Sequence, residues 1–290
     1  MPKINDEGQQ KSSINFFSVE IYPKVVLYRE LLLDSDILHD TMKKSSDDSQ
    51  GKFYLNTWDK WSVFGIYSSQ KYTTFSPTEE SVQMHKDEKY LVDRLAEASS
   101  IATKDYIKRF NVKLPHNTRL TNSSFCKYGR NLESIKNNLT MQYHTDYIIC
   151  EKDTPGQKFF LTCTAYINDN YDGGDISFYI NGDLINHKPK AGDILVFPSD
   201  APYYHGVKTI KNGDKFMVRN FMIYDYDGTE EWLENQKTYG ALKWAEMEKE
   251  RVDVEMEKYM LYAVGDKVLT YDEYLLTEYS SSGKFGPRAK

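Results

Sequence analysis

An α+β fold with a β-sandwich core is predicted by three features of the sequence. Residues 120–226 are a succession of short apolar and β-branched runs, among them FFLTCTAYIN, ISFYI, DILVFP and KFMVRNFMIY. Between those runs stand Thr154-Pro155-Gly156, Asp172-Gly173-Gly174, Asn181-Gly182, Ala191-Gly192-Asp193 and Asn212-Gly213. Asn-Gly and Asp-Gly between β-prone stretches are strong hairpin signals, and many short strands at this spacing indicate an antiparallel sandwich or barrel. The third feature is the change to helical patterning on both sides of this stretch.

Taken in order, residues 1–14 are polar and read as a flexible tail. Residues 15–119 read mainly as helical support. ILHDTMKKSS closes a first helix, and YLNTWDKWSVFGIYS is aromatic and β-prone, a strand or an ordered loop. From Thr78 to Phe110, Leu91, Leu95, Ala98 and Ala102 recur at helical spacing with Lys, Asp and Glu between them. The sandwich core follows over 120–228. Residues 229–290 read as a helical C-terminal extension and tail, rich in Glu, Lys, Met and Leu, with Thr229 as N-cap before Glu230 and Glu231. SSSGKFGPRAK reads as a loose end.

Composition narrows the function. At 290 residues, 40% hydrophobic and with 23 Tyr, the chain can bury a sizeable core. A net charge of −6 argues against general nucleic-acid binding, which needs a basic surplus, though not against a local basic groove. Cys126, Cys150 and Cys163 are scattered, with no CxxC pair, so neither a disulfide framework nor a thiolate zinc site is indicated. Reduced, buried thiols, a polar N-terminus and the lack of any apolar run near 20 residues predict a cytoplasmic protein that does not span a membrane.

The chemistry centres on His144-Thr145-Asp146, with His205-Gly206 downstream. On an extended strand residues i and i+2 share a face, so His144 and Asp146 can reach one ion together. An imidazole from another strand, His205, completes a two-His, one-carboxylate set. That set leaves coordination positions open and suits non-haem iron(II), although zinc accepts the same donors. The triad taken alone is also compatible with histidines that merely pack in a β-core.

The neighbouring residues carry more. FCKYGR (125–130), MQYHTD (141–146), TAYINDNYDGGDISF (164–178), KPKAGDILVFP (188–198) and YHGVKTIKNGDKF (204–216) occur in an order that resembles the prolyl and lysyl hydroxylase branch of the 2-oxoglutarate oxygenases. The resemblance implies a double-stranded β-helix, or jelly-roll, core. It implies ferrous iron held by His144, Asp146 and His205, with 2-oxoglutarate and dioxygen as cosubstrates and ascorbate as a further candidate cofactor. It places a basic residue about ten positions after the distal His, here Lys215, against the far carboxylate of 2-oxoglutarate. A buried carboxylate needs such a charged, hydrogen-bonded partner. If KFMVRNF is a strand, Arg219 shares the face of Lys215 and is a second candidate. Tyr166 matches a tyrosine that hydrogen-bonds the same carboxylate, Thr164 shares its face, and Tyr128 matches an active-site aromatic. Gly173 and Gly174 serve a tight turn.

The sequence departs from the branch in two places. The stretch between Tyr128 and His144, NLESIKNNLTMQY included, is longer than usual, and the C-terminal extension has no counterpart. His39, His85, His116 and His187 lie outside the motifs. The branch implies hydroxylation of a prolyl residue in a peptide or protein, with release of succinate and carbon dioxide. Lysyl residues or a small free amino acid are the alternative substrates, and a non-catalytic metal-binding jelly roll is the alternative class. Nucleic acid is disfavoured, because such oxygenases usually show paired arginines after the distal His.

Overall fold

Alternation of side chains in the central strands, interrupted by a few register shifts, builds the molecule in three layers, helices, a large sheet and a small sheet. The computed structural model describes residues 16–48, 54–55, 61–64, 79–115, 117–121, 123–129, 139–147, 157–225, 228–240, 243–244, 246–247, 260–264, 267–270, 273 and 276. The expected tails at 1–14 and 280–290, Cys150, the Thr154-Pro155-Gly156 turn, His116, most of NLESIKNNLTMQY and the side chains of His85 and Thr229 lie outside the described residues.

The elements in order are β1 (Phe17–Tyr22), β2 (Val25–Arg29), α1 (Ser35–Asp48), β3 (Tyr54–Leu55), β4 (Trp61–Phe64), α2 (Glu79–Arg109), β5 (Arg119–Leu120), β6 (Ser124–Tyr128) and β7 (Leu139–His144). There follow β8 (Gln157–Tyr166), β9 (Asp172–Gly173), β10 (Ile176–Ile180), β11 (Asp183–His187), β12 (Ile194–Pro198), β13 (Tyr204–Lys208), β14 (Ile210–Asn212) and β15 (Lys215–Asp225). The chain ends with α3 (Gly228–Tyr239), β16 (Met260–Val264) and β17 (Lys267–Thr270).

The large sheet runs β1-β2-β12-β8-β15-β6-β4-β3, with β5 also on β15, and the small sheet runs β11-β10-β13-β7-β16-β17. Every described pairing is antiparallel. The two facing sheets form a double-stranded β-helix core, the jelly roll that the motif order implies.

One face of the large sheet takes the helices. Leu161, Cys163 and Ala165 of β8 and Phe216, Val218 and Met222 of β15 pack there against Leu38 and Met42 of α1 and Leu91, Leu95, Ala98 and Ala102 of α2. The four α2 residues expected to form a stripe are all fully buried, and Tyr106 extends it by one more turn. The opposite face of the large sheet closes on the small one through Leu27, Cys126, Tyr128, Tyr166, Leu195, Phe197 and Met217, which meet Met141, Ile176, Phe178 and Val207.

Asn181-Gly182 acts as the hairpin signal it was expected to be, whereas Asn212-Gly213 does not, since β14 pairs with β9 rather than with β15. Asn181 and Gly182, at φ of 53° and 94°, join β10 to β11, with Ile180 opposite Asp183. Positive φ at both central residues is the geometry whose twist matches the flanking strands. Gly173 is also at positive φ, and a Cβ there would run into the carbonyl of Thr209, so the close approach of β9 and β14 needs a glycine.

Two parts of the reading need correction. The N-terminal support is not only helical, since FSVEIY and VVLYR form β1 and β2 and extend the large sheet through β12. The C-terminal extension is helical over α3, but residues 260–270 form a hairpin on β7. Among the described residues no helix is long and apolar enough to cross a membrane.

Candidate metal centre and anion pocket

Register brings the three expected ligands together. β13 pairs with β7 so that His205 lies directly opposite His144, and opposed residues share a face. Their rings are 4.5 Å apart between centroids. Asp146 is not on the strand, as the simple alternation argument supposed. β7 ends at His144, and the chain bends, with the Tyr147 amide donating to Ser199 O at 3.0 Å. The carboxylate still converges, with Oδ1 3.5 Å from His144 Nε2 and Oδ2 3.3 Å from His205 Nε2. One donor atom from each of the three residues lies within 4.8 Å of the others.

The surroundings aim these atoms. The Thr162 hydroxyl donates to Asp146 Oδ2 at 2.7 Å and is itself 2.9 Å from Ser199 Oγ. Oδ1 of Asp146 is buried without a hydrogen-bond partner, a costly arrangement that a bound cation relieves. Burial alone would raise the Asp146 pKa, but His205 and His144 outweigh it and hold the carboxyl well below the ordinary range. His205 Nδ1 is 3.3 Å from the Tyr203 carbonyl. A carbonyl only accepts, so Nδ1 carries the proton and Nε2 presents its lone pair to the site. Phe197 and Phe178 pack against the His205 ring at 4.9 and 6.1 Å. The donor set therefore fits a divalent metal with open positions.

Thr162→Val should weaken metal binding about 10–100-fold, the usual cost of losing a group that orients a ligand. Titration with Mn(II) measures this, and an unchanged affinity would deny Thr162 that part.

The inner face of β8 leads from the metal cluster to the anion site. Thr162, Thr164 and Tyr166 alternate inward, roughly 13 Å from first to last at about 3.3 Å per residue. Opposite Thr164 in register is Arg219, and opposite Tyr166 is Met217. Tyr128 on β6 stands opposite Lys215. The expected residues thus share one inner surface.

Lys215 is fully buried. Its ammonium donates to the Gly174 carbonyl and lies 4.9 Å from the Tyr166 ring centroid and 5.7 Å from that of Tyr171. Among the described residues no carboxylate forms an ion pair with it. Burial, then the Lys188 ammonium, push its pKa down to about 7, against partial support from Asp175. Arg219 occupies the other end. Burial would lower its pKa, but Cys126, Tyr128 and Asp146 raise it overall, so the guanidinium stays charged. Tyr166 is pushed well above its usual value, first by burial, and stays a neutral donor.

Several contributors went unread in the sequence. Asn168 accepts from the Phe216 amide at 2.7 Å and donates to Asp214 O at 2.8 Å, which pins the start of β15 and so Lys215. Tyr171 has a buried hydroxyl with no partner beside the same pocket. Lys188 lies 3.8 Å from the Tyr171 ring centroid and donates to the Tyr171 and Gly173 carbonyls. Asn168 and Tyr171 fall inside the quoted motif, but only contacts with residues distant in sequence give them a role, Asn168 with Asp214 and Phe216 and Tyr171 with Lys188 and Lys215. His39 packs edge-on against Phe216 and His187 lies 3.8 Å from Asp193, so neither joins the site.

Residues 131–223 match the model of the 2OG-Fe(II) oxygenase superfamily. This stretch includes His144, Asp146, His205 and Lys215, and over it the chain is similar to that superfamily, whose name carries ferrous iron and 2-oxoglutarate. Among curated proteins none matches the chain. Similar solved structures include a prolyl hydroxylase from Trichoplax adhaerens in complex with a hypoxia inducible factor oxygen degradation domain peptide fragment, at 16% identity and TM-score 0.47 over 69% of this chain and 83% of that one. A Pseudomonas putida prolyl-4-hydroxylase is similar at 12% identity and TM-score 0.44, over 69% of this chain and 91% of that one. The viral collagen prolyl hydroxylase from Paramecium Bursaria Chlorella virus-1 is similar at 12% identity and TM-score 0.44, over 72% and 97%.

Proposed function

We propose that this chain is an Fe(II)- and 2-oxoglutarate-dependent dioxygenase that hydroxylates a prolyl residue in a peptide or protein, releasing succinate and carbon dioxide. The observation that carries the enzyme reading is the fully buried Lys215 ammonium, unpaired by any described carboxylate and reached along one inner face from the His-Asp-His cluster. A scaffold has no use for an enclosed cation of depressed pKa, whereas a dicarboxylate cosubstrate supplies its missing partner.

In this reading His144, Asp146 and His205 hold ferrous iron. Iron with 2-oxoglutarate and dioxygen supplies oxidative decarboxylation coupled to insertion of oxygen into a C–H bond. The chain's residues do the rest. Thr162 saturates one Asp146 oxygen and leaves the other for the metal. The Tyr203 carbonyl fixes the His205 tautomer. Lys215 takes the far carboxylate, with Tyr166 as a neutral hydrogen-bond donor and Tyr128 and Thr164 lining the path. Arg219, whose charge is supported by Asp146, would meet an anionic group of the cosubstrate or the substrate. Met217, Phe178 and Phe197 keep water from these charges, which strengthens each interaction.

The prolyl target rests on the order of the motifs. A peptide rather than a free small molecule, ascorbate as a reductant that keeps iron ferrous, and a cytoplasmic site belong to the same reading. The last is supported by Cys126 and Cys163, both buried and neither in a disulfide. Incubation with Fe(II), ascorbate and 2-oxoglutarate against proline-, lysine- and free amino-acid panels, read by mass spectrometry, tests the substrate. Addition of one oxygen to proline peptides is expected. Oxidation of another class instead would overturn the prolyl assignment and leave the enzyme class standing.

A further inference from the structure

β16 lies directly along β7, the strand that ends in His144, and places Met260 opposite His144 and Leu261 opposite Tyr143. Opposed residues on antiparallel strands share a face with Cβ atoms about 4.5–5.5 Å apart. The small sheet therefore carries one cross-strand row, Phe178, His205, His144 and Met260, supplied by β10, β13, β7 and β16. Phe178 packs on His205 from one side within this row, and Phe197 of β12 packs on it from the facing sheet. Met260, 3% exposed, closes the other side next to His144.

The hairpin is anchored from behind. On the outer face Leu261 is buried with Tyr143 and Leu139, and Val268 packs on the same cluster. Tyr143 is held in turn by a 2.8 Å hydrogen bond to Ser177, so the anchor reaches across to β10. Alternation thus gives the hairpin two separate jobs, Leu261 outward to dock it and Met260 inward at the metal centre.

We propose that the β16–β17 hairpin clamps the metal centre, with Met260 a positioning residue that holds the His144 imidazole by packing. This rests on the reading of His144, Asp146 and His205 as metal ligands. A flexible thioether fills an irregular space beside a ring well, and a ring so confined keeps its donor atom aimed. By linkage, hairpin docking and metal binding then favour one another, and whatever loosens residues 260–270 lowers metal affinity.

Co(II) titration of the full chain, followed by its visible absorption, tests this. Met260→Ala is expected to weaken Co(II) binding roughly tenfold, at the lower end of what ligand-orienting groups contribute. Met260→Leu, which refills the space, should stay within about twofold of the wild type on the same argument. Leu38→Ala in the distant helix layer, destabilising but away from the metal, should bind as the wild type does. Wild-type affinity in Met260→Ala, equal losses in the Ala and Leu variants, or an equal loss in Leu38→Ala would each overturn the clamp. His205→Ala separates the two readings. If it abolishes Co(II) binding while Met260→Ala does not change it, only the clamp fails; if it binds normally, the metal site itself is wrong. Hydrogen exchange of the wild type guards against a misfolded variant. Amides of residues 261–264 should slow when Co(II) is added, and unchanged exchange there would overturn the coupling.

Discussion

Lys215→Met is expected to weaken 2-oxoglutarate binding by about 2–5 kcal/mol, some thirty-fold to several-thousand-fold, while making the ligand-free protein no less stable. The two effects have opposite signs for one reason. In the free protein the amine is buried without an anionic partner among the described residues, so an apolar side chain of similar length removes a desolvation cost. In the complex the same amine compensates a buried carboxylate, and its loss leaves that charge unpaired. Calorimetric titration with 2-oxoglutarate and denaturant midpoints check both halves. A variant that is less stable and binds 2-oxoglutarate normally would assign Lys215 to the fold and not to the ligand.

The same lysine sets a pH dependence. Its pKa of about 7 in the folded protein lies below its ordinary 10.5, so the unfolded chain binds more protons between these values. Ligand-free stability therefore gains from this group as pH rises from about 7 toward 10.5. Binding runs the other way. Below pH 7 the ammonium is already present and 2-oxoglutarate affinity is flat on this account. Above it, binding must take up a proton, and affinity falls by as much as about tenfold per pH unit. Lys215→Met should lose this slope.

His205→Ala is the second large effect. Loss of a metal ligand should reduce 2-oxoglutarate turnover by about a thousandfold or more, because several kcal/mol of metal-derived stabilisation goes with it. The core should survive. His205 packs on Phe178 and Phe197 of the inner cluster, and the stripe from Leu91 to Tyr106 belongs to the separate helix-facing cluster. Stability is expected to fall by only about 1–3 kcal/mol, from the loss of the ring that packs on Phe178 and Phe197. Succinate release and circular dichroism distinguish the two. Retained turnover in a folded variant would mean that another residue completes the ligand set.

Local signals made much of this legible before any coordinates. Periodicity placed α2 and its buried stripe, Asn181-Gly182 placed a hairpin, and the His144, Asp146 and His205 spacing pointed to residues that do converge. Alternation in KFMVRNF put Lys215 and Arg219 on one face, as β15 has them. Alternation could not tell the two apart. Lys215 is distinguished by what β6, β8 and the Gly174 turn enclose around it, and Arg219 by Cys126 and Asp146, all of which are long-range facts. Asp146 shows the complementary limit, since its aim comes from a bend and from Thr162 rather than from strand geometry. MLYAV by itself suggests the end of a helix, because Met, Leu and Ala favour one. Pairing with β7 overrides that propensity, and Gly265-Asp266 before KVLT was the overlooked sign of a hairpin.

The most direct test is anaerobic absorption of the purified chain with Fe(II) and 2-oxoglutarate. Chelation of iron by the keto acid at the His144, Asp146 and His205 site should produce a visible charge-transfer band, lost in His205→Ala and shifted to higher 2-oxoglutarate concentration in Lys215→Met. A spectrum unchanged by adding both components to the wild-type protein would contradict the account.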